Sequence, residues 1–277
     1  MGKCSFVPAG VMEWVASVPT APIPPFWVIA VLCAAYLVFV LGGARVMRNR
    51  AALKLRVPLA VHNGILFVYS LLSTLAMGFV VLCNTPYRSF DEMVCDGENA
   101  LFEGFNSWVL FFFLLSKMWE FLDTAFLVLG KHRLRFLHVY HHVVTLPLSW
   151  VLYKDASANG TICAWTNMLV HTPMYYYYTV SALGGTVWWK KYITQMQIAQ
   201  FVFCIGVMVY DLVLLRPATS VRCTVHKPYP YRSILCSAVI YATFLALFIQ
   251  LYVSIYKARK TSKPAAASDV PKPKKTN

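Results

Sequence analysis

The chain has 277 residues, of which 58% are hydrophobic and only 13% are Asp, Glu, Lys or Arg. Its mean hydropathy is +0.57. Soluble domains carry about 25% charged residues, so the composition excludes a soluble globular domain and indicates a polytopic membrane protein. The formal charge of +14 comes without an aromatic-interleaved basic patch, which excludes a nucleic-acid-binding reading.

A short arm, residues 1–25, contains Pro19, Pro22, Pro24 and Pro25 and is expected to be extended. Seven charge-poor windows follow, at about 26–44, 58–83, 104–130, 137–153, 159–183, 192–215 and 233–256. Each is near the ~17–25 residues that cross a bilayer as a helix. The expected fold is therefore all-α, one seven-span membrane domain over 26–256, with no internal repeat. The first window is long enough to serve as an uncleaved anchor. Residues 257–277, rich in Lys, Pro, Ala and Ser, form a basic tail expected to be disordered.

Lysine and arginine placement gives the orientation. With the N-terminus outside the cytosol, the segments 45–57, 131–136, 184–191 and 257–277 are cytosolic and hold 17 of the 25 basic residues. The opposite side holds 7, and Lys117 lies within a span. Lys274 and Lys275 then stand third and fourth from the end of a cytosolic tail. That placement is similar to the dilysine retrieval signal and predicts the endoplasmic reticulum membrane.

Four cysteines, Cys33, Cys163, Cys204 and Cys236, fall within spans, where small apolar packing is expected. Cys95 and Cys223 fall in the two longest lumenal loops and are expected to form a disulfide, with Cys83 as a competitor. Asn159-Gly160-Thr161 is a glycosylation sequon on the lumenal side. Its loop is short and close to the bilayer, so poor use is expected.

Polar residues inside the spans form stripes. Lys117, Glu120, Asp123 and Thr124 share one face of the third window. Charges within a membrane span are expensive and should pair inside the bundle. A packing ion pair and a catalytic group are both open readings of Lys117 and Glu120. His138, His141 and His142, at i, i+3 and i+4, share a face at the start of the fourth window. Asn167, His171, Tyr175 and Tyr178 form a stripe in the fifth, with Met174 and Tyr177 between them. Thr194, Gln197 and Gln200 form another in the sixth, where interhelical hydrogen bonding is the plain alternative.

At about 1.5 Å per residue, all these groups lie in the cytosolic half of the bundle. They describe a site open to the cytosol that leads into an apolar interior. Lys131, Arg133, Arg135, Lys190 and Lys191 ring its mouth and suit a phosphate-rich head. The matching substrate is amphipathic.

At these residues the chain resembles the ELO family of very-long-chain fatty acid elongases. Leu134 to His142 resembles the family's histidine box, and Lys117 to Thr124 its KxxExxDT box. His171 to Tyr178 is similar to HxxMYxYY, and Thr194 to Gln200 to TxxQxxQ. Four boxes in order are specific, and the dense match spans about 115–201. The resemblance implies a ring of helices around an acyl tunnel. It also implies condensation of acyl-CoA with malonyl-CoA to 3-ketoacyl-CoA, CO2 and CoA, with no cofactor. No cysteine accompanies the stripes, so an acyl-imidazole on His141 is expected. His171 or His142 would assist malonyl decarboxylation and stabilise the enolate. Lys117, Glu120 and Asp123 would orient the box, and Asn167, Tyr175, Tyr178, Gln197 and Gln200 would supply hydrogen bonds. Partners so implied are membrane lipid and the ketoreductase, dehydratase and enoyl reductase of the elongation cycle, with homo-oligomerisation left open. Polyunsaturated-acid elongases often carry glutamine where this chain has Arg133, so saturated or monounsaturated chains are expected.

Two other classes share part of the pattern. Membrane di-iron desaturases and hydroxylases also use HxxHH boxes, but a two-iron site needs around eight ligands. The chain has seven histidines, of which His62 is isolated and His226 is predicted lumenal. A seven-helix receptor shares the topology, yet its polar cluster would face outward.

Overall fold

A computed structural model describes residues 10, 13–14, 17–84, 89–95, 101–102, 104–215 and 231–261. The helices are α1 (Phe26–Met47), α2 (Arg56–Asn84), α3 (Phe90–Cys95), α4 (Phe105–Trp119) and α5 (Phe121–Leu129). They continue as α6 (Phe136–Lys154), α7 (Ala158–Ala182), α8 (Lys190–Tyr210) and α9 (Tyr231–Thr261), with a π-helical stretch Asp211–Leu215 closing α8. No strand occurs among the described residues. All seven predicted windows are helical. Among the described residues four helices are long and apolar enough to cross a membrane: α1, α2, α8 and α9. The windows between them carry the polar stripes, which lowers their hydropathy, and the third is divided at Glu120. The protein is a multi-pass membrane protein.

The division at Glu120 differs from the single span expected over 104–130. There the ladder tightens to an i, i+3 bond, with Asp123 N–H donating to the Glu120 carbonyl at 3.0 Å. Pro147 interrupts α6 and Pro173 interrupts α7. A helical proline leaves the carbonyl four residues earlier without its donor. For Pro147 that carbonyl is Val143, and the Cys33 thiol of α1 donates to it at 3.7 Å.

The helices pack as a ring. α2 lies along α7, α7 against α8, α8 against α9, α9 against α6, and α6 against α4, which returns to α2. α1 stands outside the ring on α5 and α6. The arm is partly helical, not wholly extended: residues 10, 13, 14 and 17 are helical, and 19–25 are not. The four prolines concentrate in that second part. It is strapped down where Trp150 Nε1 donates to the Pro24 carbonyl at 2.8 Å, Tyr153 hydroxyl to Ala21 at 3.1 Å and Trp108 Nε1 to Pro19 at 2.8 Å.

Cys33, Cys163, Cys204 and Cys236 are free thiols. The expected Cys95–Cys223 disulfide, its competitor Cys83, and the Lys274-Lys275 signal lie outside the described residues and side chains. The sequon Asn159 is 2% exposed, in the first turn of α7. Its Nδ2 donates to Asp211 Oδ2 at 2.6 Å. The folded side chain leaves no room for a glycan. Asp211→Ala removes the acceptor of a buried amide, and the expected loss is about 1–3 kcal/mol of stability, read as a lower melting temperature in detergent.

Candidate active site

α6 opens after Arg135, whose backbone is extended at the N-cap. Its first turns therefore present His138, His141 and His142 on one face. All three line a cavity of about 680 Å³, a size that suits a small-molecule ligand. Their rings meet edge-on, His138–His142 with centroids 4.5 Å apart and His141–His142 5.3 Å apart. The hydroxyls of Tyr36 and Thr124 and the Nε2 of His138 form a hydrogen-bonded chain, with steps of 2.9 and 2.8 Å. His142 is 5% exposed, and its Nδ1 finds no partner among the described residues.

The last turn of α4 brings in the charges. Lys117 and Glu120 are 3% and 2% exposed. Lys117 Nζ donates to Glu120 Oε1 at 2.8 Å and to Asn167 Oδ1 of α7 at 2.8 Å. His171 Nδ1 lies 3.7 Å from the same Glu120 oxygen. One turn on, Asp123 Oδ2 accepts from the Tyr175 hydroxyl at 3.0 Å. Asp123 Oδ1 lies 2.6 Å from His62 Nε2 of α2.

Behind His141 a narrow second cavity of about 40 Å³ runs between α4, α6, α7, α8 and α9. It has room for about one water molecule. Lys117, Asn167 and Gln200 line it near the histidines, and Leu152, Tyr153 and Gly160 line it further in. Gln200 Nε2 is buried without a partner among the described residues. His141 lines both cavities, and among the described residues no other side chain does.

Most residues singled out from the sequence converge here. Glu120, Asp123, His138, His141, His142, His171, Met174, Tyr175, Tyr178, Lys190, Thr194 and Gln197 reach the wide cavity. Lys117, Asn167 and Gln200 reach the narrow one. Thr124 is fully buried behind His138. Gln197 Nε2 donates to the Met174 sulfur at 3.4 Å.

The basic ring splits. Arg135 and Lys190 line the wide cavity. Lys131, Arg133 and Lys191 do not. Lys131 donates to the carbonyls of Arg48 and Arg50 at 3.3 and 2.9 Å. The Lys191 ammonium lies over the Tyr192 ring at 4.8 Å.

The sequence reading missed Tyr36 and set His62 aside as isolated. The signal for His62 was its place in a charge-poor span, where an imidazole needs a partner. Among the described residues no three histidine, cysteine or carboxylate side chains are gathered to hold a metal ion.

The profile of the GNS1/SUR4 (ELO) family matches residues 22–264. A putative fatty acid elongase of Dictyostelium discoideum is 32% identical over 257 residues, covering 93% of this chain and 84% of that protein. Very long chain fatty acid elongase 6 of Homo sapiens is 34% identical over 235 residues, 83% of this chain and 85% of that one. Very long chain fatty acid elongase 2 of Mus musculus is 30% identical over 252 residues, 87% and 80% respectively.

Lys117→Met leaves the Glu120 carboxylate buried and unpaired. The expected destabilisation is about 3–5 kcal/mol, measured by thermal unfolding in detergent. The double variant K117M/E120Q buries no net charge, and its melting temperature is expected to recover toward wild type.

Proposed function

The chain belongs to the GNS1/SUR4 (ELO) family of fatty acid elongases, and from that premise we propose that it catalyses the condensation step of elongation. The reaction joins acyl-CoA to malonyl-CoA and releases CO2 and CoA, leaving a 3-ketoacyl-CoA two carbons longer. The observation that carries this reading is the position of His141. It stands between a wide cavity with cationic groups at its edge and a narrow one that continues among apolar side chains.

An acyl-CoA has the matching form. Its phosphates would sit near Arg135 and Lys190, its pantetheine arm in the wide cavity, its thioester at His141, and its tail in the narrow cavity. That cavity must widen to take a tail, and Phe113, Tyr153, Phe201, Tyr241 and Phe244 are the aromatic rings in its wall. Lys131, Arg133 and Lys191 act on the head group only at longer range.

The imidazole of His141 attacks the thioester carbonyl, forms a C–N bond and expels CoA, whose sulfur takes up the proton that the imidazole gives up. The acyl-imidazole waits for malonyl-CoA. Loss of CO2 leaves an enolate, whose carbon attacks the acyl carbon and returns the electron pair of the C–N bond to the imidazole, which takes up a proton from water. His171 and His142 stand beside His141 to stabilise the enolate. Lys117, Glu120 and Asp123 hold the cluster, and Asn167, Tyr175, Tyr178, Gln197 and Gln200 supply hydrogen bonds around the thioesters. Met174 and Thr194 shape the wall, and Thr124 acts from behind it through His138.

The orientation that suits this chemistry opens the wide cavity to the cytosol, with seven spans and the N-terminus in the lumen. Residence in the endoplasmic reticulum membrane belongs to the same reading. The ketoreductase, dehydratase and enoyl reductase of the cycle would receive the product.

Purified enzyme loaded with acyl-CoA alone is expected to carry an acyl adduct on His141, seen by peptide mass spectrometry, and His141→Ala is expected to lose both adduct and turnover. Turnover without an adduct on any histidine overturns the acyl-imidazole. A ladder of acyl-CoAs with malonyl-CoA is expected to show preference for saturated or monounsaturated chains.

A further inference from the structure

His62 lies 55 residues before the first of the four boxes, and no box contains it. It is 4% exposed, on a helix that also buries Asn63, Ser70 and Ser73. Both of its ring nitrogens are engaged. Trp119 Nε1 lies 3.1 Å from His62 Nδ1, and the rings are almost coplanar, 10° apart. That is the geometry of an in-plane N–H bond rather than of stacking. Phe126 closes on the same imidazole at a centroid distance of 5.2 Å.

These contacts set the tautomer. An indole nitrogen can only donate, so His62 Nδ1 accepts and carries no proton. The ring proton is then on Nε2, which donates to Asp123 Oδ1 at 2.6 Å. Asp123 therefore accepts from two donors, His62 on one oxygen and Tyr175 on the other. Glu120, by contrast, has Lys117. Asp123 keeps 18% of its side chain exposed and lines the wide cavity together with Tyr175.

We propose that His62, locked in its Nε2–H tautomer by the indole of Trp119, is a positioning residue that fixes the Asp123 carboxylate and, through it, the Tyr175 hydroxyl in the wide cavity. The inference rests on the reading of that cavity as the condensation site. Trp119 is 47% exposed on the outer face of the bundle, so a polar chain runs from that face through His62 and Asp123 to the cavity. A hydrogen bond to a charged group, lost from a site that has to be in place for chemistry, reduces turnover by about tenfold or more. It leaves substrate binding largely alone.

The test is a kinetic cycle on the full-length enzyme in detergent, with acyl-CoA and malonyl-CoA. His62→Phe keeps an aromatic ring but removes both nitrogens. It is expected to lower kcat about tenfold, with KM for both substrates within about threefold of wild type. His62→Gln can donate to Asp123 and accept from Trp119, and is expected to regain most of the lost kcat. Trp119→Phe frees the tautomer and should fall between wild type and His62→Phe. The double variant H62F/D123N is expected to be no slower than D123N alone, since His62 acts only through that carboxylate.

Fully additive losses, or a His62→Phe enzyme as fast as wild type, overturn the inference. Should His62→Phe fail to fold, as seen by size exclusion, the rescue by His62→Gln and the Trp119→Phe series decide in its place. Absence of condensation in the wild-type enzyme would instead sink the reading of the site, so the two failures are told apart.

Discussion

A lysine and a glutamate buried together in an apolar bundle constrain everything around them. Neither Lys117 nor Glu120 can be left alone there, since an unpaired charge at such a depth is strongly destabilising. The pair is made within one helical turn, 2.8 Å apart. It needs more partners than that turn provides, so Asn167 comes in from α7. The α4 ladder gives way at Glu120, and α5 restarts with Asp123 and Thr124 turned to their own partners. Asp123 then ties α5 to α2 and α7, while Thr124 ties it to α1 and α6. Few polar side chains thereby set the register of six helices.

The basic residues at the histidine end have two distinct tasks. Arg56 donates to the carbonyls of Ala182 and Leu183 at the end of α7, where the helix dipole favours a cation. Lys131 closes α5 in a left-handed conformation, φ 56°, and holds the carbonyls that follow α1. Both are committed to backbone. Arg135 and Lys190 remain at the cavity wall. A count of positive charge therefore overstates what is available to an anionic ligand.

The two cavities differ in kind. The wide one is walled by side chains of six helices and is already of ligand size. The narrow one holds about one water volume and is walled by side chains of α4, α6, α7, α8 and α9.

Much of this was legible from residue order. Apolar windows gave the helices almost to the residue, because a membrane helix needs a fixed length of hydrocarbon side chains. Polar residues three and four apart gave the stripes, because helical periodicity alone places them on a face. Local spacing could not show which distant groups meet. The break at Glu120, the burial of Asn159 against Asp211, the withdrawal of Lys131 to backbone carbonyls and the link from His62 to Asp123 join positions up to 83 residues apart. Each depends on which helix packs on which, and packing is set by the whole bundle's need to satisfy its few buried polar groups.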